Sequence, residues 1–252
     1  MVRRLVVLLC LALLGFPARA AEVYQVSTIL NLLAGGYDGD VTMSELLRHG
    51  GFGLGTFNGV NGEMMVLDGR IFRGTTDGRA HPVPPTEQTP FAEVVAFHPQ
   101  GAMRVASGRS LEQLQADLDA LPSSASRVLV ARIDGRFKTI QVRSEPRQKP
   151  PYRSLADVIR EQQVVNTFND VNGTLIGFRY PPAASSTNVV GWHFHFLSAN
   201  RTRGGHVLSL TTGPGRAAVE EVAEMRVRLP AAAPATTSVG SNAVRAVEHP
   251  QQ

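Results

Sequence analysis

Three of the seven histidines in this 252-residue chain fall within 14 positions, in Gly191-Trp192-His193-Phe194-His195-Phe196 and Gly204-Gly205-His206. His193 and His195 alternate with aromatic residues. On a β-strand, alternate side chains point to opposite faces, so the aromatics enter a core while the two imidazoles project together, roughly 6–7 Å apart. Ser198 to Gly205 has turn composition, and a return strand His206–Leu210 would bring the third imidazole alongside. Three neutral nitrogen ligands on a hairpin are what an open zinc site requires, with a fourth position left for water or substrate. A lone strand histidine is ordinarily a surface or core residue; an H-x-H pair with a third histidine one turn away is a more specific pattern. Zinc is the expected metal, although an all-imidazole set also suits nickel, copper or iron.

Other residues could act beside such a site. Glu63 sits in a short apolar run next to Met64 and Met65, and Arg143 ends an alternating run. Taken alone, each reads equally as a surface charge. Thr56 lies in the glycine-dense Gly53-Leu54-Gly55-Thr56-Phe57, where backbone can approach a ligand closely. That segment is not a phosphate loop, since no third glycine, lysine or helix start follows at the required spacing. His49, His81, His98 and His249 lack ligand spacing and are expected to be non-catalytic.

The elements that must carry these residues are mostly short strands. Asn61-Gly62, Asp68-Gly69, Asp77-Gly78 and Asp134-Gly135 mark expected hairpin turns. The last would join a strand at 127–133 to one at 136–143. Helices are predicted at 42–50, with Thr42 as N-cap and Glu45 three residues on, at 110–121, with Ser110 as cap, and at 154–164. Further strands are expected at 91–98, 173–180 and 217–229.

Residues 1–20 combine Arg3-Arg4, an apolar run and Ala18-Arg19-Ala20, which predicts a secretory signal peptide and export to the periplasm or medium. The only cysteine, Cys10, lies in that leader, so the mature chain is expected to have neither disulfides nor thiolate ligands. Without Arg3, Arg4 and Arg19 the charge balance is 22 basic to 21 acidic residues, against a formal +4 for the whole chain. That gives no support for nucleic-acid binding. No membrane association is expected after cleavage. A proline-rich stretch at 146–151 suggests a division into an N-terminal β-rich domain at 21–146 and a C-terminal domain at 147–229 carrying the histidine hairpin. A tail at 230–252 has too few large apolar residues to order itself by burial.

The ordered set Gln25–Ile29, Gly53–Phe57, Gly62-Glu63-Met64, Thr89–Ala92, Val142–Pro146, Gly173–Phe178, Gly191–Phe196 and Gly204–Leu208 resembles the acetolactate decarboxylases over nearly the whole mature chain. The resemblance implies an α/β, in detail α+β-like, two-domain fold. It would be rich in mixed and antiparallel sheets, with a metal site in the cleft and a homodimeric assembly. It implies Zn2+ on His193, His195 and His206 and catalytic roles for Glu63, Arg143 and a tail glutamate, best matched by Glu248; Thr56, from its glycine-dense strand, is the expected substrate-binding residue. The implied reaction is non-oxidative decarboxylation of 2-acetolactate to acetoin and CO2 through a zinc-stabilised enediolate. The residues themselves leave rivals open. A cupin-like metalloenzyme would expect a glutamate shortly after the second histidine, where Leu197 to Asn200 stand. A zinc hydro-lyase leaves Glu63 and Arg143 without a purpose, and an exported metal-binding protein predicts no turnover.

Overall fold

Short apolar runs punctuated by glycine fold as strands, and two sheets take up nearly all of them. The computed structural model describes residues 21–230; residues 1–20 and 231–252, with the expected signal peptide and Glu248, lie outside the described residues. The chain begins with β1 (Glu22–Val26), α1 (Ile29–Leu33), β2 (Val41–Thr42), α2 (Met43–Leu47), β3 (Phe52–Thr56) and β4 (Glu63–Leu67). It continues through β5 (Arg70–Gly74), β6 (Ala80–Pro82), β7 (Gln88–Thr89), β8 (Ala92–Val95), β9 (Gly101–Val105) and α3 (Leu111–Asp119). The last part holds β10 (Val128–Ser144), α4 (Leu155–Gln162), β11 (Val164–Tyr180), β12 (Gly191–Ser198), β13 (Gly204–Val222) and β14 (Glu224–Arg228).

A seven-stranded sheet has the order β14-β1-β8-β3-β4-β5-β6, and a five-stranded sheet the order β10-β11-β12-β13-β9. The first is mixed, because β14 runs parallel to β1 while its other pairs are antiparallel. The second is antiparallel, and β10 also pairs with β13, so β10, β11, β12 and β13 close into a ring. This is the β-rich α+β architecture that the sequence predicts. Each sheet draws on chain from both sides of the 146–151 stretch: β9 and β10 lie in the five-stranded sheet, and β14 returns to the seven-stranded one.

Helix starts follow their caps. The Thr42 side chain accepts from the Glu45 backbone, and Ser110 forms a reciprocal capping box with Gln113. The Asp68-Gly69 turn is also as expected: both residues have positive φ, 53° and 71°, and they join β4 to β5.

The expected hairpin at Asp134-Gly135 is not there. Strand β10 runs unbroken through both residues. Gly135 stands opposite Gly173 on one side and Gly215 on the other, and a Cβ on it would lie 2.9 Å from the Gly215 Cα. The glycine therefore serves close strand approach and not a turn. Asp134 is occupied sideways, accepting from Thr174 Oγ1 at 2.6 Å and from Arg132 Nε at 2.8 Å. The same lengthening affects its neighbours: β11 starts nine residues before the expected 173, and β13 runs from 204 to 222 where a break before 217 was predicted.

The core has two main layers. Inside the ring, Phe137, Ile140, Phe168, Phe194, Phe196 and Leu210 pack with Leu111, Leu114 and Leu118 of α3. Between the sheets, Phe52, Leu54, Met65 and Phe72 meet Val130, Ile176, Phe178 and Leu197. Strands β3 and β4 are thus covered on both faces, which is why Glu63–Leu67 is buried at every position and shows no alternation.

Candidate metal centre

Strand β12 divides its side chains as its alternation dictates. Phe194 and Phe196 enter the ring core, and Trp192 stacks on Phe194 while donating from Nε1 to Asp119 at 2.9 Å. His193 and His195 project from the opposite face. Strand β13 returns antiparallel with His206 directly opposite His195. The three rings then stand 4.8–5.4 Å apart between centroids, closer than extended spacing alone suggests. All three residues are at most 8% exposed.

Their nitrogens fit a metal. One ligand atom from each can be chosen so that all lie within 4.8 Å of one another, and His193 Nε2 is 3.0 Å from His206 Nδ1. Two nitrogens on one tetrahedral zinc stand about 3.4 Å apart, given bonds of about 2.0–2.1 Å. His195 Nδ1 is 2.8 Å from the Met64 carbonyl. A carbonyl only accepts, so Nδ1 carries the hydrogen and Nε2 presents its lone pair, with the ring held in place by backbone. Nε2 is buried and makes no hydrogen bond among the described residues. Burial first, and then Arg143, lowers the His193 pKa to about 3. Burial also puts His195 well below its ordinary value, aided by His193 and Arg143 and opposed by the Met64 carbonyl bond. Both rings are therefore neutral at physiological pH, the state that ligation needs.

Glu63, Arg143 and Thr56 converge on the same cavity. Glu63, at the start of β4, places Oε2 3.4 Å from His195 Nε2 and is 7% exposed. Arg143 is paired with His206 across the β10–β13 ladder and is 3% exposed. Thr56 lines the cavity, but its hydroxyl donates to the Gly62 carbonyl at 2.8 Å. His49, by contrast, stacks on Tyr24 and does not line the cavity. Glu248 belongs to the undescribed tail.

Sequence reasoning missed two parts of the site. Glu145 lines the cavity beside Arg143, with Oε1 3.3 Å from Nε. The i, i+2 spacing was the available signal. The other part is an apolar wall of Ile29 and Leu32 from α1, Val60, Phe91, and Leu155 and Ile159 from α4. Nothing local marks these six, since they come from four separate segments. The cavity is small, about 40 Å³.

A triad of buried histidines with a carboxylate, a guanidinium and an apolar wall narrows the chemistry, and comparison with known proteins names the family. The family model described as alpha-acetolactate decarboxylase matches residues 23–236. The chain belongs to this family. Among its relatives, the alpha-acetolactate decarboxylase of Methanosarcina mazei is 43% identical over 83% of this chain and 72% of its own. That of Klebsiella aerogenes is 38% identical over 88% and 86%. The crystal structure of alpha-acetolactate decarboxylase from Bacillus subtilis strain 168 superposes with a TM-score of 0.87 at 32% identity, covering 90% of this chain and 99% of that one. Members of the alpha-acetolactate decarboxylase family are carbon–carbon lyases, and this chain is an enzyme of that class. Among the described residues, no helix is long and apolar enough to cross a membrane.

Proposed function

We propose that the enzyme decarboxylates 2-acetolactate to acetoin and CO2, using a zinc ion held by His193, His195 and His206. The observation that carries this reading is the meeting, in one small buried cavity, of the three imidazoles with Glu63, Arg143 and an apolar wall. 2-Acetolactate carries a carboxylate, a tertiary hydroxyl and a ketone β to the carboxylate. Loss of CO2 moves an electron pair onto the ketone and generates an enediolate, and a proton must then reach carbon. When bound, zinc supplies Lewis-acid stabilisation of the charge that develops on oxygen.

The chain's own groups perform the rest. The buried Arg143 guanidinium receives the substrate carboxylate through charge-assisted hydrogen bonds. Its placement on the strand next to His206 sets the carboxylate beside the three histidines. Glu63, whose Oε2 faces His195, is placed to carry a proton between the substrate hydroxyl and the enediolate carbon. Overall the reaction consumes one proton per acetolactate anion. The apolar wall of α1 and α4 accepts the methyl groups and excludes water, so protonation proceeds from one face. Glu248 is a proposed second proton carrier, supported by the family resemblance alone. Export rests on the composition of residues 1–20, and homodimer formation on the same resemblance. N-terminal mass analysis and light scattering test the two.

The decisive experiment incubates the zinc-loaded protein with racemic 2-acetolactate and follows acetoin and CO2. Protein-dependent acetoin formation above the spontaneous rate is expected, with about one zinc per chain, and His195→Ala should lose metal and turnover together. Acetoin no faster than the spontaneous rate would overturn the reading.

A further inference from the structure

Arg143 is unusual in being almost wholly buried, and one group beside it is Glu145. The two side chains are 4% and 2% exposed, with Nε 3.3 Å from Oε1, and both line the cavity. They share a face because they are two residues apart, Arg143 near the end of β10 and Glu145 immediately after it, where the chain is still extended enough for side chains to alternate. The intervening Ser144 points away and donates to the Gly74 carbonyl at 2.8 Å, tying this strand end to the seven-stranded sheet. Glu145 is therefore held in position from both sides: by the serine anchor before it and by Pro146 after it.

A buried cation is costly unless paired. A carboxylate beside Nε has two further effects on a guanidinium that must handle a substrate carboxylate. As an ion pair at 3.3 Å, it favours guanidinium orientations that keep the Nε edge toward Glu145. It also offsets charge, which weakens the grip on the ground-state carboxylate. That second effect favours decarboxylation. The negative charge leaves the carboxylate as CO2 departs, so any stabilisation of the bound carboxylate must be given up on the way to the transition state.

From this geometry we propose that Glu145 is a positioning residue: it orients Arg143 through its Nε edge and tempers its charge, so that the substrate carboxylate is aligned without being held too tightly. The proposal deepens the proposed function, since it rests on Arg143 as the carboxylate-binding group. Its signature separates it from a merely structural role. Loss of a structural residue raises KM or leaves it unchanged, whereas removal of ground-state destabilisation lowers KM and kcat together.

The test compares wild type with Glu145→Gln, which keeps the shape and removes the charge, at equal zinc content. Two measurements are made: steady-state kinetics with 2-acetolactate, and calorimetric binding of 2-hydroxy-2-methylpropanoate, a 2-hydroxy carboxylate with no ketone and hence no turnover. Glu145→Gln is expected to bind this probe about fivefold more tightly, as loss of one nearby negative charge requires at an intermediate dielectric, while kcat falls at least about tenfold. Any other combination overturns the proposal. If Glu145→Gln does not fold, Glu145→Asp retains the charge and withdraws it by about one carbon–carbon bond, about 1.5 Å. That variant should lose kcat with probe affinity within about twofold of wild type, and an unchanged kcat overturns the proposal. Should wild type fail to turn over 2-acetolactate, the proposed function falls, while the calorimetric comparison still reports on the Arg143–Glu145 pair.

Discussion

Gly177→Ala tests how the ring core sets the metal site. Gly177 on β11 stands directly opposite Phe194 on β12. A Cβ there would lie 2.2 Å from Phe194 Cε1 and 2.5 Å from Cδ1. Ordinary carbon contacts begin near 3.5 Å, so ring or strand must move by about 1.3 Å. The ring has little room to give, because it is 2% exposed and Trp192 stacks on it with centroids 5.1 Å apart. Overpacking of this kind costs about 1–3 kcal/mol. Replacing glycine also stiffens the unfolded chain, which returns about 0.4–1 kcal/mol. Steric cost exceeds that gain, leaving a net loss of about 1–2 kcal/mol and a melting temperature about 2–8 °C lower for a chain of this size. The loss should reach the metal, because His193 and His195 flank Phe194 and a shift of about 0.5 Å is enough to degrade a ligand set. Melting curves and zinc affinity by chelator competition are the assays. Phe194→Leu removes Cε1, the nearest clashing atom, so in that background Gly177→Ala should cost at least about 1 kcal/mol less. A Gly177→Ala protein that melts at or above wild type, or a penalty that is the same in both backgrounds, would refute the steric argument.

Glu63→Gln should fold and retain zinc but slow acetoin formation about 10²- to 10⁴-fold, because an amide carries no proton; near-normal kcat would remove Glu63 from proton transfer. Arg143→Lys should keep its metal and lose most of kcat/KM, since an ammonium cannot supply the planar fork; wild-type turnover would show that the guanidinium geometry is irrelevant. In the metal-free protein, His193 has a folded pKa lowered to about 3, so below its ordinary value of 6.5 the unfolded chain binds a proton that the folded chain refuses. Stability from this group is therefore intact above pH 6.5 and falls as the pH drops from 6.5 toward 3, by about 2 kcal/mol at pH 5. Urea titrations of metal-free wild type and His193→Gln at pH 7 and pH 5 measure this, and equal pH dependence in both would contradict it.

The local sequence determined the parts of this enzyme that depend on one strand or one helix start. Alternation across Trp192–Phe196 sends aromatics to the core and imidazoles to the cavity, and side-chain capping chemistry places the starts of α2 and α3. Glycine was legible only where φ decided its use. Asp68-Gly69 turns because both residues adopt positive φ, whereas Asp134-Gly135 stays extended because Gly173 and Gly215 crowd it from both sides. The same dipeptide thus has two outcomes, and the partner strands choose between them. Long-range pairing also decided that Glu63 and Arg143, each readable as a surface charge, are buried beside His195 and His206. The tertiary structure alone revealed the wall of Ile29, Leu32, Val60, Phe91, Leu155 and Ile159. The reason is physical: a strand's period and a helix cap arise from bonds within a few residues, whereas a cavity exists only once separate segments exclude water together.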